Sequence, residues 1–150
     1  MNKCYLDANV LIYFKNEDSQ FFQSAKQTIK LLIEKNFQPV ISSLVLDEFL
    51  HGFLRLLIVA GIDDSERYQR LNKALKDVLK IPKLQLINPP TDHQSQMKII
   101  TLMRQYGLKP RDAYHLLTLQ SYQVKHLATF DDDFEHVFTS GSITQFKNQT

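Results

Sequence analysis

The stretch KCYLDANVLI, residues 3–12, decides the fold of this 150-residue chain. Its first four residues are suited to a short buried strand, and the charged Asp7 follows them directly. Apolar residues then recur at helical spacing through Val10, Leu11 and Phe14, which predicts a helix that starts straight after the strand. A buried strand that runs directly into a helix is the unit from which parallel α/β sheets are built.

The rest of the chain alternates in the same way between short apolar runs and amphipathic helices. Further strands are predicted at residues 39–41, 84–87, 126–129 and, at the edge, 142–146. The helices between them are predicted to start at Ser42 or Ser43, Asp63 or Asp64, Thr91, and Pro110. These elements predict an α/β fold in three layers, with a central, mostly parallel sheet of four or five strands. One domain is expected to span residues 1–150.

The composition is that of a folded protein and leaves its partners open. Hydrophobic residues make up 43% of the chain, which excludes intrinsic disorder. The 18 basic and 16 acidic residues give a formal net charge of +2, which permits nucleic-acid binding without indicating it. Cys4 is the single cysteine, so no intrachain disulfide can form. The sequence contains no recognisable signal-peptide core or membrane span, and a cytoplasmic location is expected.

Acidic residues follow two of the predicted strands at the point where each strand ends. Asp7 comes directly after the first strand, and Asp131 follows the fourth, with Asp132 and Asp133 behind it. In open α/β sheets, ligands bind at the carboxyl ends of the strands, where the direction of the crossovers reverses. We therefore expect Asp7 and Asp131 to meet in one crevice.

Asp112 is an acidic residue on the inward face of a predicted helix. It projects along nearly the same line as Leu116 and Leu119, which belong to the apolar stripe. A charge on that stripe is costly unless it is paired or binds a cation. The alternative is a simple acid in the first helical turn, where the helix dipole stabilises a carboxylate.

Glu48 is the fourth candidate, and it is preferred to its neighbour Asp47. Adjacent helical residues point about 100° apart, so the two acids are not expected to serve one site. Gly52 lies one turn after Glu48 and would leave room for a ligand above its carboxylate. Asp47 has His51 at the same spacing, which is typical of a solvated face.

Four carboxylates gathered in one crevice would repel one another, and divalent cations relieve that repulsion. Mg²⁺ prefers oxygen ligands and retains several waters, so a few carboxylates and a substrate phosphate suffice to hold it. Two such ions can activate a water and stabilise the leaving oxygen in phosphodiester hydrolysis. The set of four acids therefore predicts metal-dependent hydrolysis, in which activated water attacks phosphorus in line without a covalent intermediate on the protein.

Four short motifs resemble those of PIN-domain ribonucleases, especially the VapC-type toxins of toxin–antitoxin pairs. They are LDANVLI at residues 6–12, SSLVLDEF at 42–49, PRDA at 110–113 and ATFDDDF at 128–134. Each motif is short, but their order and spacing make the resemblance specific, and it covers most of the chain.

The resemblance implies a central parallel sheet with an acidic metal site at one edge. The family's acids fall on Asp7, Glu48, Asp112 and Asp131. Of these, Asp7 and Asp112 match the direct ligands of the main ion, while Glu48 and Asp131 would hold waters or a second ion. The family's auxiliary polar positions fall on Asn9, Thr129 and Asp133.

The implied activity is Mg²⁺- or Mn²⁺-dependent endonucleolytic cleavage of RNA. VapC-like proteins usually form homodimers and are silenced by a cognate antitoxin protein that covers the active-site groove. Asp132 departs from the family pattern, since many relatives have a basic residue at that position. The extra negative charge would alter substrate choice or affinity without touching the four core acids.

Two other functions compete with this interpretation. An aspartyl-phosphate phosphatase also has an acid after its first strand, but it generally needs a second acid two residues later, where this chain has Asn9. A non-catalytic PIN-like module that holds a structural metal ion is the non-enzymatic alternative. The intact set of four acids disfavours it.

Several other features carry less weight. The five histidines show no paired metal-binding spacing, and only His115, three residues after Asp112, is expected near the rim of the crevice. No glycine-rich phosphate loop or serine nucleophile motif is present. A basic row along one helix is either a solvated face or an RNA-backbone contact, and it comprises Arg67, Arg70, Lys73 and Lys76. The basic residues near Asp112 are better placed for RNA, namely Arg104, Lys109 and Arg111. The apolar surplus at residues 44–58 suggests a dimer or antitoxin surface.

Overall fold

A computed structural model describes residues 1–148, so the last two residues of the predicted domain lie outside the described residues. Its sheet contains β1 (Lys3–Leu6), β2 (Gln38–Ser42), β3 (Gln85–Ile87), β4 (His126–Ala128) and β5 (Thr144–Gln145). The strand order is β3-β2-β1-β4-β5, and all four pairings are parallel. The predicted α/β class and parallel sheet are confirmed, and the last strand lies at an edge as expected.

Within residues 1–148, seven helices connect the strands. They are α1 (Ala8–Lys15), α2 (Phe22–Glu34), α3 (Ser43–Val59), α4 (Asp64–Leu79), α5 (His93–Tyr106), α6 (Pro110–Ser121) and α7 (Glu135–Thr139). Contacts among them join α1 to α2 and α3, α3 to α4, and α5 to α6. The chain therefore passes from β1 to β3 through one group of helices and crosses back to β4 through another, which gives the three layers.

The strand order places a topological switch point between β1 and β4. From β1 the chain moves outward to β2 and β3, and it later returns to place β4 on the other side of β1. The carboxyl ends of β1 and β4 are held level, because Leu6 pairs with Ala128 and the Asp7 amide donates to the Ala128 carbonyl at 3.0 Å. Residues that follow these two strands therefore share one edge of the sheet.

Side-chain hydrogen bonds cap the starts of α3, α4 and α5. The Ser42 hydroxyl accepts from the Val45 amide and caps α3, and Asp63 caps α4 through the Glu66 amide, as predicted. The predicted Thr91 cap is wrong, because Asp92 accepts from the Ser95 amide at 2.8 Å and starts α5 one residue later. The short helix α7 was not predicted, since its five residues are too few to show a periodic pattern.

The core lies between the sheet and both helix layers. Its side chains that are both large and least exposed include Tyr5, Leu6, Leu11, Phe49, Leu116, Leu127 and Phe134. Cys4 is also buried, and burial raises the pKa of its thiol, as expected for a structural cysteine. Among residues 1–148, none of the helices combines the length and apolar character needed to cross a membrane.

Candidate metal centre

Asp7 stands at the carboxyl end of the central strand and is buried, with 7% of its surface exposed. Its Oδ1 accepts from the Ala8 amide at 2.7 Å, so the same carboxylate also caps α1. Its Oδ2 accepts from the Thr129 hydroxyl at 2.7 Å. The start of α1 and the residue that follows β4 therefore hold this carboxylate from both sides.

A bracing network ties Asp7 to the residues that follow β4. The Asn9 Nδ2 lies within hydrogen-bond distance of Asp7 Oδ2 at 3.3 Å, Thr129 Oγ1 at 3.1 Å and Asp131 Oδ2 at 2.9 Å. The Asn9 Oδ1 accepts from the Phe130 amide at 3.2 Å. Because Asn9 contacts both acids, it fixes the position of exposed Asp131 relative to buried Asp7. Asn9 and Thr129, the auxiliary positions expected from the sequence, thus lie between the two carboxylates.

Asp112 lies at the start of α6 and faces an open cleft of about 640 Å³. The cleft is lined by both Glu48 and Asp112, and the auxiliary Asp133 stands on its rim. Asp133 donates its backbone amide to Asp131 Oδ1 at 3.1 Å, which links the cleft to the bracing network. Asp132 is the departure from the family pattern. Together with Asp131 it lines two other surface cavities, and Asp112 lines neither of them.

Glu48 projects from the second turn of α3 toward Asp7. Its Oε1 lies 2.7 Å from Nε2 of His115, which is 1% exposed. One ligand atom each from Asp7, Glu48 and His115 lie within 4.8 Å of one another. Asp47 is exposed and points away, as does His51, so the structure places Glu48 rather than Asp47 beside Asp7.

Two of the carboxylates, those of Asp7 and Asp112, have raised pKa values. Burial raises the pKa of Asp7 to about 6, and the charges of Asp131 and Glu48 add to the effect, while the Thr129 hydrogen bond opposes it. Burial likewise raises the pKa of Asp112 to about 6, with further contributions from Asp133, Asp131 and Glu48. The structure thus brings together all four acids that the sequence analysis selected. Their mutual repulsion is what a bound cation would relieve.

The oxygen donors present suit a hard divalent cation. Asp7 and Glu48 offer carboxylate oxygens close together, and Asp112 and Asp131 add negative charge at the same edge. Carboxylate oxygens are the ligands that Mg²⁺ and Mn²⁺ prefer. An ion at this edge would contact Asp7 and Glu48, whose ligand atoms lie within 4.8 Å of each other.

Basic side chains also reach the cleft. Both Lys109 and Arg111 line it, and the Arg111 Nε lies 3.7 Å from Glu48 Oε1. Arg104 is exposed on α5 and is absent from the lining of this cleft. The basic row on α4 is engaged within its own helix, since Arg67 binds Asp64, Arg70 binds Glu66 and Lys73 approaches Asp77. Ion pairs of this kind are typical of a solvated helix face.

Two expectations about this region are wrong. A Cβ on Gly52 would come within 2.6 Å of the Ile12 side chain, so this glycine lets α1 approach α3 and does not clear space for a ligand. His115 does not lie at the rim of the crevice, because its ring is buried beneath Glu48. Its partner Tyr5, which in turn contacts Ser42 Oγ, was also missed. The available signal was positional, because Tyr5 is two residues before Asp7 on a strand and therefore shares its face.

Known proteins resemble this chain in sequence or in structure over most of its length. Ribonuclease VapC2 of Methanocaldococcus jannaschii is 28% identical over 91% of this chain and 89% of its own length. VapC20 of Mycobacterium tuberculosis, a toxin that cleaves the sarcin-ricin loop, superimposes with a TM-score of 0.66 at 13% identity, covering 89% of this chain and 94% of its own.

A toxin–antitoxin complex from Klebsiella pneumoniae contains a chain that superimposes with a TM-score of 0.57 at 23% identity, covering 87% of this chain and 89% of its own. These structures show the fold. The PIN domain family model matches residues 4–138, which include all four acids. With its parallel sheet and the acids at the β1–β4 edge, this chain belongs to the PIN domain family.

Proposed function

We propose that this chain is a metal-dependent endoribonuclease that hydrolyses RNA phosphodiester bonds. The observation that carries the proposal is the meeting of Asp7, Glu48, Asp112 and Asp131 at the carboxyl edge of a PIN sheet. The relative named Ribonuclease VapC2, aligned over 91% of this chain, supports RNA as the substrate. An RNA substrate also makes the cytoplasm the proposed location.

Some residues of the site would hold a cation, and others would hold the substrate. Asp7 and Asp112 would be the main ligands, and Glu48 and Asp131 would hold waters or a second ion. When bound, Mg²⁺ or Mn²⁺ supplies charge neutralisation at the phosphate and activation of the attacking water. Asn9 and Thr129 fix the carboxylate oxygens of Asp7, and Lys109 and Arg111 would contact the RNA backbone from the cleft wall.

The phosphatase alternative is disfavoured by the surroundings of Asp7. The position of the required second acid is occupied by Asn9, whose amide is engaged in the bracing network. Transfer of labelled phosphate from a small phosphorylated compound onto Asp7 would revive this alternative.

We also propose that the chain is the toxin of a toxin–antitoxin pair and forms a homodimer. Structural similarity to a chain of a toxin–antitoxin complex supports the first part. The end of α3 supports a protein contact, because Leu56, Ile58 and Val59 are 38%, 51% and 80% exposed there. Sedimentation of the chain alone separates the two uses of this surface, since a homodimer has twice the chain mass without a second protein.

The deciding experiment is cleavage of total cellular RNA by the purified chain. It is run with Mg²⁺ or Mn²⁺, with chelator, and with the Asp7→Asn variant, beside a DNA of matched sequence. We expect cutting of RNA that requires the ion and is lost in the variant. A folded protein that binds Mn²⁺ but cuts no RNA under any condition would establish the non-catalytic binding module instead.

A further inference from the structure

A chain of buried hydrogen bonds leads from the candidate metal centre into the core. His115 is 1% exposed, and both of its ring nitrogens have partners. Its Nε2 lies 2.7 Å from Glu48 Oε1, and its Nδ1 lies 2.8 Å from the Tyr5 hydroxyl. The Tyr5 hydroxyl is in turn 2.6 Å from Ser42 Oγ. This chain of hydrogen bonds therefore connects β1, the start of α3, α6 and the Glu48 carboxylate.

The hydrogen bond that caps α3 determines the direction of donation along this chain of hydrogen bonds. The Val45 amide donates to Ser42 Oγ at 3.3 Å, since an N–H group is only a donor. Within residues 1–148, the Ser42 hydroxyl proton has the Tyr5 oxygen as its acceptor. If Tyr5 donated to Ser42 instead, that buried hydroxyl proton would be left without a partner, which costs about 1–3 kcal/mol.

The positions of the remaining protons follow when each donor is matched with an acceptor in the same way. Tyr5 has accepted from Ser42, so its own proton is donated to His115 Nδ1. A neutral imidazole that accepts at one nitrogen carries its proton on the other. His115 therefore donates Nε2–H to Glu48 Oε1.

We infer that His115 is a positioning residue: it donates Nε2–H to Glu48 and so fixes this carboxylate for the cation, and it is not a metal ligand itself. Its Nε2 lies as close to the other donor atoms as a ligand would, but its lone pair is occupied by the proton. The other basic neighbour of Glu48 is Arg111, which is 3.7 Å away with 58% of its side chain exposed. His115 is thus the rigid, buried contact that sets the rotamer of Glu48.

The test measures Mn²⁺ binding separately from RNA cleavage, and it rests on the proposed cation site. His115→Leu removes the donor and keeps an apolar side chain in the core, and we expect Mn²⁺ affinity to fall by roughly 10- to 100-fold. His115→Gln places an amide N–H near the position of Nε2, and affinity should return to within about threefold of the native chain. Thr118→Val is the matched control, because Thr118 is equally buried on α6 and its hydroxyl bonds only the Tyr114 carbonyl among residues 1–148.

Two further measurements keep the inference open to refutation. If His115→Leu does not fold, His115→Phe decides the matter, because it keeps a ring in the buried space and removes the N–H that is donated to Glu48. We expect Mn²⁺ affinity to fall roughly 10- to 100-fold in that variant as well. Electron spin-echo spectroscopy of bound Mn²⁺ should show no coupling to a directly bound imidazole nitrogen.

The outcomes separate this inference from the proposed function. Native Mn²⁺ affinity in His115→Leu, or in His115→Phe where that variant decides, would overturn the positioning role, and a strong imidazole nitrogen coupling would make His115 a ligand. Either result leaves RNA cleavage standing. A native chain that binds Mn²⁺ without cleaving RNA would refute the nuclease and leave the role of His115 intact.

Discussion

At the level of single residues, Asp7 and Asp112 share a raised pKa although their surroundings differ. Asp7 is enclosed and hydrogen-bonded by Thr129, whereas Asp112 has the open cleft beside it. In both cases burial is the first cause and neighbouring carboxylates are the second. Each ionised side chain therefore destabilises the folded, metal-free protein, and each would favour the binding of a cation.

The first residue-level prediction concerns stability without metal. The pKa of Asp7 rises from 3.8 to about 6 on folding, so the folded state binds the proton more tightly. Stability should therefore fall as pH rises from about 4 to about 6 and then level off. Replacing Asp7 with Asn should remove this loss, stabilising the metal-free chain at pH 7 by up to roughly 3 kcal/mol.

Chemical denaturation of the native chain and the Asp7→Asn variant, in chelator at several pH values, measures the difference. The gap between the two proteins should be small near pH 4 and reach its full size above pH 6. A variant that is less stable than the native chain at pH 7 would show that the hydrogen bonds of the ionised carboxylate outweigh its burial.

The second residue-level prediction separates Asp112 from an ordinary surface acid. Asp112→Asn should reduce the rate of RNA cleavage at least ~100-fold with the fold unchanged, because a main ligand of the ion is lost. Asp132→Asn removes the same charge from a side chain outside the cleft and should alter the rate less than about threefold. Rates on one RNA, with circular dichroism as the folding control, compare the variants. Equal rates for Asp112→Asn and the native chain would refute the assignment.

At the level of the elements, helix starts position the site. Asp7 caps α1 and Ser42 caps α3, so the residues that begin these helices also belong to the metal centre or to the chain of hydrogen bonds beneath it. Gly52 then lets α1 pack closely on α3, because its missing side chain leaves room for Ile12. The starting points of α1 and α3 at the sheet edge therefore set the directions in which the Asp7 and Glu48 side chains point.

The corrected cap of α5 gives a prediction at this level. Asp92→Ala removes the side chain that accepts from the Ser95 amide and should lower the melting temperature by about 2–4 °C. Thr91→Ala is the matched control one residue earlier, and it should leave the melting temperature within about 1 °C. Thermal unfolding followed by circular dichroism measures both. The opposite order would restore the cap that the sequence predicted.

At the level of the whole molecule, folding and cation binding are linked. The acids come from β1, α3, α6 and the segment after β4, so the set exists only in the folded chain. A ligand that binds only the folded state stabilises it by about 2.7 kcal/mol when its concentration is 100 times its dissociation constant. The cation is therefore expected to act on the stability of the entire domain.

Thermal unfolding with and without ions provides the measurement. Saturating Mn²⁺ should raise the melting temperature of the native chain by roughly 5–10 °C. Asp7→Asn should start from a higher melting temperature and gain much less, and Na⁺ at equal ionic strength should have little effect on either protein. An equal gain in the native chain and the variant would place the bound ion elsewhere on the molecule.

Local patterns were enough to predict most elements of this protein. Strand β1, the helix after it, and the parallel α/β class follow from periodicity within short windows. Asp7, Asp112 and Asp131 stood out because each charge ends or interrupts an apolar pattern, whereas Glu48 was chosen over Asp47 from its spacing to Gly52 and from the family resemblance. The helix α7 and the cap of α5 were not predicted correctly, because one turn of helix shows no period and adjacent Thr91 and Asp92 are both capable of capping.

The sequence by itself determined the order of the strands and helices and the identity of the acids, because both depend on neighbouring residues. Only the tertiary structure decided which side chains meet. His115 and Tyr5 are separated by 110 positions, yet they share a hydrogen bond beneath Glu48. Gly52 likewise acquired its role from Ile12 on another helix. Contacts of this kind depend on how strands and helices are stacked, and a single sequence does not contain the distances between them.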